Sequence, residues 1–376
     1  MTPPAWPLPQ TPGLRDTPAL HWGIAGAGAI AHDWVCALHT HTSQRVHAVT
    51  ARDGSRAARF AATHGIPRSY GSYADLADDP DIDAVYVATT TEHHLDVTLE
   101  LIAAGKPVLV EKPLGSTAHE AARISDAARD HGVYARENMW TLDLPQTHVI
   151  DRLIADGVLG DLQLLEADFS AAFDRVESAR VFAPSIGAGA LLDIGIYPLA
   201  FARHLLGAPL DTHTTGVLTD DGVDARAVVA SRHGGGALSI STTALDIARP
   251  NTAAIIGTRA RIEFATDFYC PAAFDLVVGD QRRTWHPDPA IAGRGGLCYP
   301  PVAMAADILA GRTAHPGLTD SVAVLETIDR ARRQLGVTAL VESDPGTAPD
   351  ARDHARRLTI QRVSPSSEAV MNPRCS

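Results

Sequence analysis

The sequence predicts a two-domain α/β protein whose first half is built on a parallel sheet. Three observations predict it. The turn Gly26-Ala27-Gly28-Ala29-Ile30-Ala31 lies between a short apolar stretch and a helical one. Strand-like and helix-like stretches then alternate to about Glu137, the pattern of right-handed βαβ units and a mostly parallel sheet. Finally, 376 residues exceed what one ordinary core holds, so a second domain is expected.

Composition narrows the function. A formal charge of −12 disfavours nucleic acid or an anionic membrane as a general partner. No apolar run reaches the length of a membrane span, and the first nineteen residues lack the apolar core of a secretory signal. The four cysteines, Cys36, Cys270, Cys298 and Cys375, show no C-x-x-C spacing. Reduced thiols in a cytoplasm fit, with no disulfide framework or thiolate zinc site indicated. Residues 1–19, dense in proline, read as a disordered leader. Residues 20–140 read as the dinucleotide-binding domain, 141–340 as a second α/β domain and 341–376 as a mostly disordered tail.

In order, 21–25 is a buried strand, and the glycine turn leads from it into a helix to about Thr40. That is G-x-G-x-x-A between strand and helix. Gly26 and Gly28 allow a tight turn and close approach of a pyrophosphate, Ala31 allows tight packing, and the helix start at Ala29 and Ile30 offers N–H groups to the anion. The strand Arg45–Thr50 ends in Ala51-Arg52-Asp53, where such folds read the adenosine ribose. A small residue followed by Arg52 favours the 2′-phosphate of NADP, while Asp53 keeps NAD possible. A helix follows from Ser55 to about His64, and Ser72 to Ala77 is a short helical or turn segment. The strand of residues 83–90 carries Thr89 and Thr90 at its carboxyl end, where ligands sit in parallel sheets. Leu95 to Ala104 has helical spacing, 117–130 is a further helix and 133–137 a strand.

Between those helices stands Val108-Leu109-Val110-Glu111-Lys112-Pro113, a strand with its charge held at the tip by a proline. Lys106 and Lys112 are the only lysines among 32 basic residues. Arginine does not release its proton in a protein, whereas lysine shifts its pKa readily. Lys112 therefore reads either as a proton carrier beside a nicotinamide or as a lysine snorkelling into solvent.

Together with His94 and the Glu-Lys-Pro at 111–113, the glycine turn, Val-Tyr-Val-Ala-Thr-Thr (85–90) and the segment from Gly187 through Asp193 and Tyr197 to Pro198 resemble the glucose-fructose oxidoreductase / inositol dehydrogenase / MocA family. Glu137-Asn138-Met139-Trp140-Thr141, Ala167-Asp168-Phe169 and Arg180-Val181-Phe182 are most similar to its dimeric dihydrodiol dehydrogenase and NADP-dependent xylose dehydrogenase branch. The resemblance spans about residues 22–337 and implies an N-terminal Rossmann domain plus a C-terminal α/β domain with an open, mainly antiparallel sheet. That sheet often forms an oligomer contact, so a homodimer or tetramer is expected. The implied reaction moves hydride between NAD(P) and a secondary alcohol or carbonyl of a sugar, polyol, cyclic diol or keto-sugar, without a catalytic metal. Lys112, Asp193 and Tyr197 take the catalytic positions, and His94 the cofactor-side histidine position. Leu142 and Ala183 depart from the branch, so its substrates are not carried over.

The residues support this independently. Asp193 and Tyr197 are four apart, on one face if the segment is helical, and Pro198 must occupy a first turn or a kink. A neighbouring Lys112 ammonium is expected to favour a Tyr197 phenolate and lower its pKa. Without the other motifs, Asp193 reads as a helix cap and Tyr197 as a half-buried core residue. Trp140 reads as a substrate wall or a core tryptophan, and Arg180 as a group that orients substrate hydroxyls or pairs with an acid. His39 and His41 have no third ligand near them in sequence. The second half continues with a helix at 199–206, antiparallel pairs at 225–231 with 237–244 and within 251–264, edge strands at 269–278 and 281–285, and closing helices at 301–309 and 319–335. A non-catalytic, dinucleotide-sensing regulator is the alternative on the same fold.

Overall fold

The computed structural model describes residues 4–185, 187–315 and 317–337, so the expected tail at 341–376 lies outside the described residues. Six strands, β1 (His21–Ala25), β2 (Arg45–Thr50), β3 (Arg68–Tyr70), β4 (Ala84–Val87), β5 (Val108–Glu111) and β6 (Ala135–Asn138), form one sheet in the order β3-β2-β1-β4-β5-β6. Every pair is parallel. The chain order reverses between β1 and β4, which opens a crevice at the carboxyl ends of those two strands. β1, β4 and β5 are buried almost throughout, which explains why, apart from His21 and Glu111 at their ends, their sequences are largely apolar.

Eight more strands form the second sheet: β7 (Leu162–Ser170), β8 (Pro209–Leu218), β9 (Asp224–His233), β10 (Leu238–Ala244), β11 (Ala253–Gly257), β12 (Arg261–Phe264), β13 (Phe274–Val278) and β14 (Gln281–Trp285). Their order is β14-β13-β12-β11-β7-β10-β9-β8. All pairs are antiparallel except β7 with β10. The closing helix Leu318–Leu335 touches both units: Asp329 accepts from Ala118 N at 2.9 Å, and Gln334 donates to Thr212 O at 2.9 Å.

Three expectations need correction. Residues 4–19 form no helix or strand, as their prolines require, yet they are not a disordered leader. Trp6 packs edge-on against Phe274 at 5.6 Å under the Arg283 guanidinium, and Gln44 donates to Pro18 O at 3.0 Å. Buried apolar contact and satisfied carbonyls hold this segment in place. Asp193 and Tyr197 do not share a helix: Ala190–Asp193 ends at Ile194 (φ −123°), and a second helix, Ile196–Leu206, takes Pro198 in its first turn. The piece expected as an edge strand from Tyr269 begins only at Phe274 and lies inside the sheet, which leaves residues 265–273 as a loop.

Candidate active site

A cleft of ≈730 Å³ runs along the carboxyl ends of β1, β4 and β5 and is closed on its far side by the second unit. Gly26 turns the chain there with φ +114°, and a Cβ at this position would lie 2.5 Å from Ala88 O. At Gly28 nothing stands within 4 Å of where a Cβ would be. That open space lies over the start of the helix Ala29–His41, whose N-terminus no side chain caps. Thr89 Oγ1 is buried beside the cleft and has no hydrogen-bond partner. Backbone donors, a missing Cβ and an orphaned hydroxyl fit a dinucleotide pyrophosphate.

At the ribose end, Arg52 and Arg56 both line the cleft. Arg52 meets His93 Nε2 at 3.2 Å, His93 Nδ1 meets Thr90 Oγ1 at 2.9 Å, and Arg56 donates to Ala27 O at 2.9 Å. Asp53 instead caps the helix Gly54–His64, accepting from Ser55 N at 2.9 Å.

Lys112 follows β5 and reaches across to the second unit. Its Nζ donates to the backbone carbonyl of Asp193 at 2.5 Å, stands 3.9 Å from Asp193 Oδ1 and lies 5.2 Å from the centre of the Tyr197 ring. Burial works against the ammonium, but Tyr197, Asp193 and Glu111 outweigh it and hold the Lys112 pKa above its ordinary value. Glu111 turns inward, accepting from Tyr86 Oη at 2.6 Å and Asn138 Nδ2 at 2.8 Å. Buried His94 sits behind the tip of β5, with Nδ1 2.8 Å from Pro113 O and Nε2 3.2 Å from Thr89 O. Burial lowers its pKa to about 4, so the ring is neutral at physiological pH. The neutral ring donates its single N–H to one of these two carbonyls and packs between the loops after β4 and β5.

On the opposite wall, Arg180 lines the cleft and donates to Asp193 Oδ1 at 3.0 Å. Burial opposes ionisation of Asp193, yet Lys112, Arg180 and Arg294 keep its pKa below the usual carboxylate value. Trp140 Nε1 donates to Tyr197 Oη at 3.1 Å, so the tryptophan is both buried and part of the wall. The Tyr197 pKa runs against expectation. Burial pushes it above the ordinary tyrosine value, and the Lys112 ammonium lowers it without offsetting burial. In this state Tyr197 is a protonated phenol facing a charged lysine.

Several residues in the cleft were not singled out from sequence. Phe169 stacks on Tyr269 with ring centres 3.9 Å apart, and both rings flank Tyr197. Phe169 was noted only within a motif, and Tyr269 lies in a piece read as a strand. Arg294, in the short helical turn Gly293–Cys298, also lines the cleft; an arginine among glycines was its only sequence signal. Deeper, Asp224 accepts from Leu191 N at 2.7 Å and secures the short helix that carries Asp193. Arg332 lies beside it and donates to Ala188 O at 3.3 Å.

Residues 20–139 match the family model described as an oxidoreductase family with an NAD-binding Rossmann fold, and residues 148–263 match the GFO/IDH/MocA C-terminal domain. The trans-1,2-dihydrobenzene-1,2-diol dehydrogenase of Danio rerio is 38% identical over 329 residues, covering 85% of this chain and 98% of that protein. The Homo sapiens protein of the same name is 31% identical over 331 residues, with the same coverage of both chains. Among solved structures, KijD10, a 3-ketoreductase from Actinomadura kijaniata in complex with NADP and TDP-benzene, aligns with a TM-score of 0.72 at 26% identity, covering 84% of this chain and 98% of that one. Levoglucosan dehydrogenase in complex with NADH and levoglucosan shares the fold, with a TM-score of 0.75 at 21% identity over 85% of this chain and 98% of that one. The glycine turn, the lysine at the tip of β5 and these matches lead to one conclusion: the chain belongs to the Gfo/Idh/MocA family and is an NAD(P)-dependent oxidoreductase acting on CH–OH groups.

Proposed function

We propose that this protein is an NADP(H)-dependent oxidoreductase whose substrate is a small cyclic diol or keto-sugar, and that Lys112, Asp193 and Tyr197 carry its proton chemistry. The observation that carries the reading is their convergence: Lys112 from the first unit reaches within hydrogen-bond distance of Asp193 O and stands over Tyr197 from the second. When bound, the nicotinamide supplies or accepts the hydride. In the reductive direction Tyr197, protonated by burial, donates its proton to the carbonyl oxygen, while the adjacent ammonium stabilises the phenolate left behind. In the oxidative direction the phenol first loses its proton to solvent, and the resulting phenolate, held beside the ammonium, takes the hydroxyl proton as hydride leaves carbon. Asp193 holds the ammonium in place and accepts from a neighbouring substrate hydroxyl.

The 2′-phosphate is assigned to Arg52 and Arg56, because Asp53 is committed to its helix cap. The stacked Phe169 and Tyr269 rings, with Trp140, favour a substrate that presents a flat apolar face as well as hydroxyls. The diol and ketone named for the relatives suit such a wall. Self-association is placed on the outer face of the second sheet, where Val228, Leu238 and Ile240 are exposed. The cytoplasm is the compartment proposed, in keeping with reduced thiols at Cys36 and Cys298.

The test is a panel of cyclic diols, inositols, sugars and keto-sugars offered with each nicotinamide cofactor, followed by absorbance of the reduced ring. Tyr197→Phe is expected to cut turnover by about 10²–10⁴-fold with cofactor affinity unchanged. Full turnover in that variant removes Tyr197 from the chemistry.

A further inference from the structure

Away from the cleft, one group of described side chains brings metal-binding atoms together. His32 and Cys36 stand one turn apart on the same face of the helix Ala29–His41. His64, the last residue of the helix Gly54–His64, lies beside them. His32 Nδ1 is 3.0 Å from His64 Nε2, and Cys36 Sγ is 3.8 Å from His32 Nε2. One ligand atom from each of the three residues falls within a span of 4.8 Å. We propose that His32, Cys36 and His64 bind a late first-row divalent cation, Zn²⁺ foremost, with solvent in the fourth position.

The donor set selects the metal. Two imidazoles and a thiolate suit Zn²⁺, Cu²⁺ and their neighbours, whereas Ca²⁺ and Mg²⁺ take oxygen ligands that this group lacks. Tetrahedral zinc with bonds of about 2.0–2.3 Å sets its ligand atoms roughly 3.3–3.8 Å apart. Closing the present span to that geometry takes about 1 Å of side-chain rotation. His32 and Cys36 are exposed and His64 half-buried, which leaves their side chains room to turn. His39, the next histidine along the helix, already accepts from Val46 N at 3.2 Å through Nε2.

Binding exchanges the Cys36 S–H bond for a sulfur–metal bond and releases that proton to solvent; the His32–His64 contact gives way to two nitrogen–metal bonds. The metal takes no part in hydride transfer. It staples the helix whose start faces the pyrophosphate site to the helix that carries Arg56.

The test uses the tag-free full-length chain, stripped with a chelator and titrated with Zn²⁺ by calorimetry and with Co²⁺ by absorbance. Expected are one equivalent bound with a micromolar or tighter Kd, a thiolate-to-cobalt charge-transfer band and a higher Tm with zinc. Cys36→Ser should remove the band, and Cys36→Ser or His64→Gln should each weaken zinc binding by more than about tenfold. Circular dichroism confirms that both variants fold. No uptake at micromolar zinc, a cobalt complex of the parent chain without the thiolate band, or unchanged affinity in both variants overturns the proposal.

Discussion

The two walls of the cleft are held in different ways. On the first, the residues that shape the site are neighbours in sequence: Glu111, Lys112 and Pro113 are consecutive, and His94 packs between their loop and the end of β4. On the second, the helix bearing Asp193 depends on Asp224 and Arg332, which lie 31 and 139 residues further along the chain. A short motif therefore marks the first wall, whereas only tertiary contacts reveal what holds the second.

Substitutions on each side can sharpen or break this contrast. The largest effect is expected at Lys112. Lys112→Met should lower turnover by about 10²–10⁴-fold. Lys106, whose Nζ donates to Asp79 O at 2.6 Å and Ile82 O at 3.0 Å, should tolerate methionine with normal turnover and reduced stability. Equal turnover in both variants would leave the tip of β5 without its special role.

The glycines should separate stability from binding. Gly26→Ala meets both a positive φ and the Ala88 carbonyl, so denaturant unfolding should show a loss of about 1–3 kcal/mol. Gly28→Ala has room for its Cβ and an allowed φ of −96°, so it should fold normally and bind cofactor more weakly. A Gly28→Ala chain with full cofactor affinity would exclude close approach of the pyrophosphate at that residue.

Asp224→Ala tests the second wall. It removes the acceptor for Leu191 N and should cost about 1–3 kcal/mol. It should also lower kcat while leaving cofactor affinity intact, since Asp224 lies outside the dinucleotide path. Burial pushes the Asp224 carboxyl up to about 6, against the pull of Arg332. The folded chain therefore takes up this proton at higher pH than the unfolded chain, whose aspartate titrates near ~3.9. The stability from this group is full below about pH 4 and is lost as pH rises through about 6. Denaturation followed across that window should show the dependence in the parent chain and lose it in the alanine variant. The smallest effect is expected from Arg52→Asp: NADPH affinity should fall relative to NADH, and equal affinities in the parent chain would remove the 2′-phosphate assignment.

Much of the first unit was legible because buried parallel strands leave an unambiguous apolar record; β2 matches its expected limits, and β1 does as well. β3 was too short to read at three residues. β8 runs along the edge of its sheet with a threonine-rich, mixed pattern, and β7 lies at the centre with charges at Glu166 and Asp168, so neither shows clean alternation. The helix Pro145–Ala155 begins with proline at its first position, a start signal with no side-chain cap beside it to reinforce it. Within the site, the pairing of Lys112 with Asp193 and Tyr197 was reached through the family resemblance, because spacing alone says nothing across 81 residues. Tyr269 and Arg294 arrive on loops with no periodic signature. The direction of the Tyr197 pKa depends on burial, which is a property of the packed molecule.

Lys112 is fastened to a main-chain oxygen at residue 193, an acceptor that every amino acid supplies. The carboxylate of the same residue adds its charge from 3.9 Å, so one residue holds the cation through both its backbone and its side chain. Any shift of the backbone at that point therefore moves the ammonium with it, which couples the seating of the second unit to the reactivity of the first.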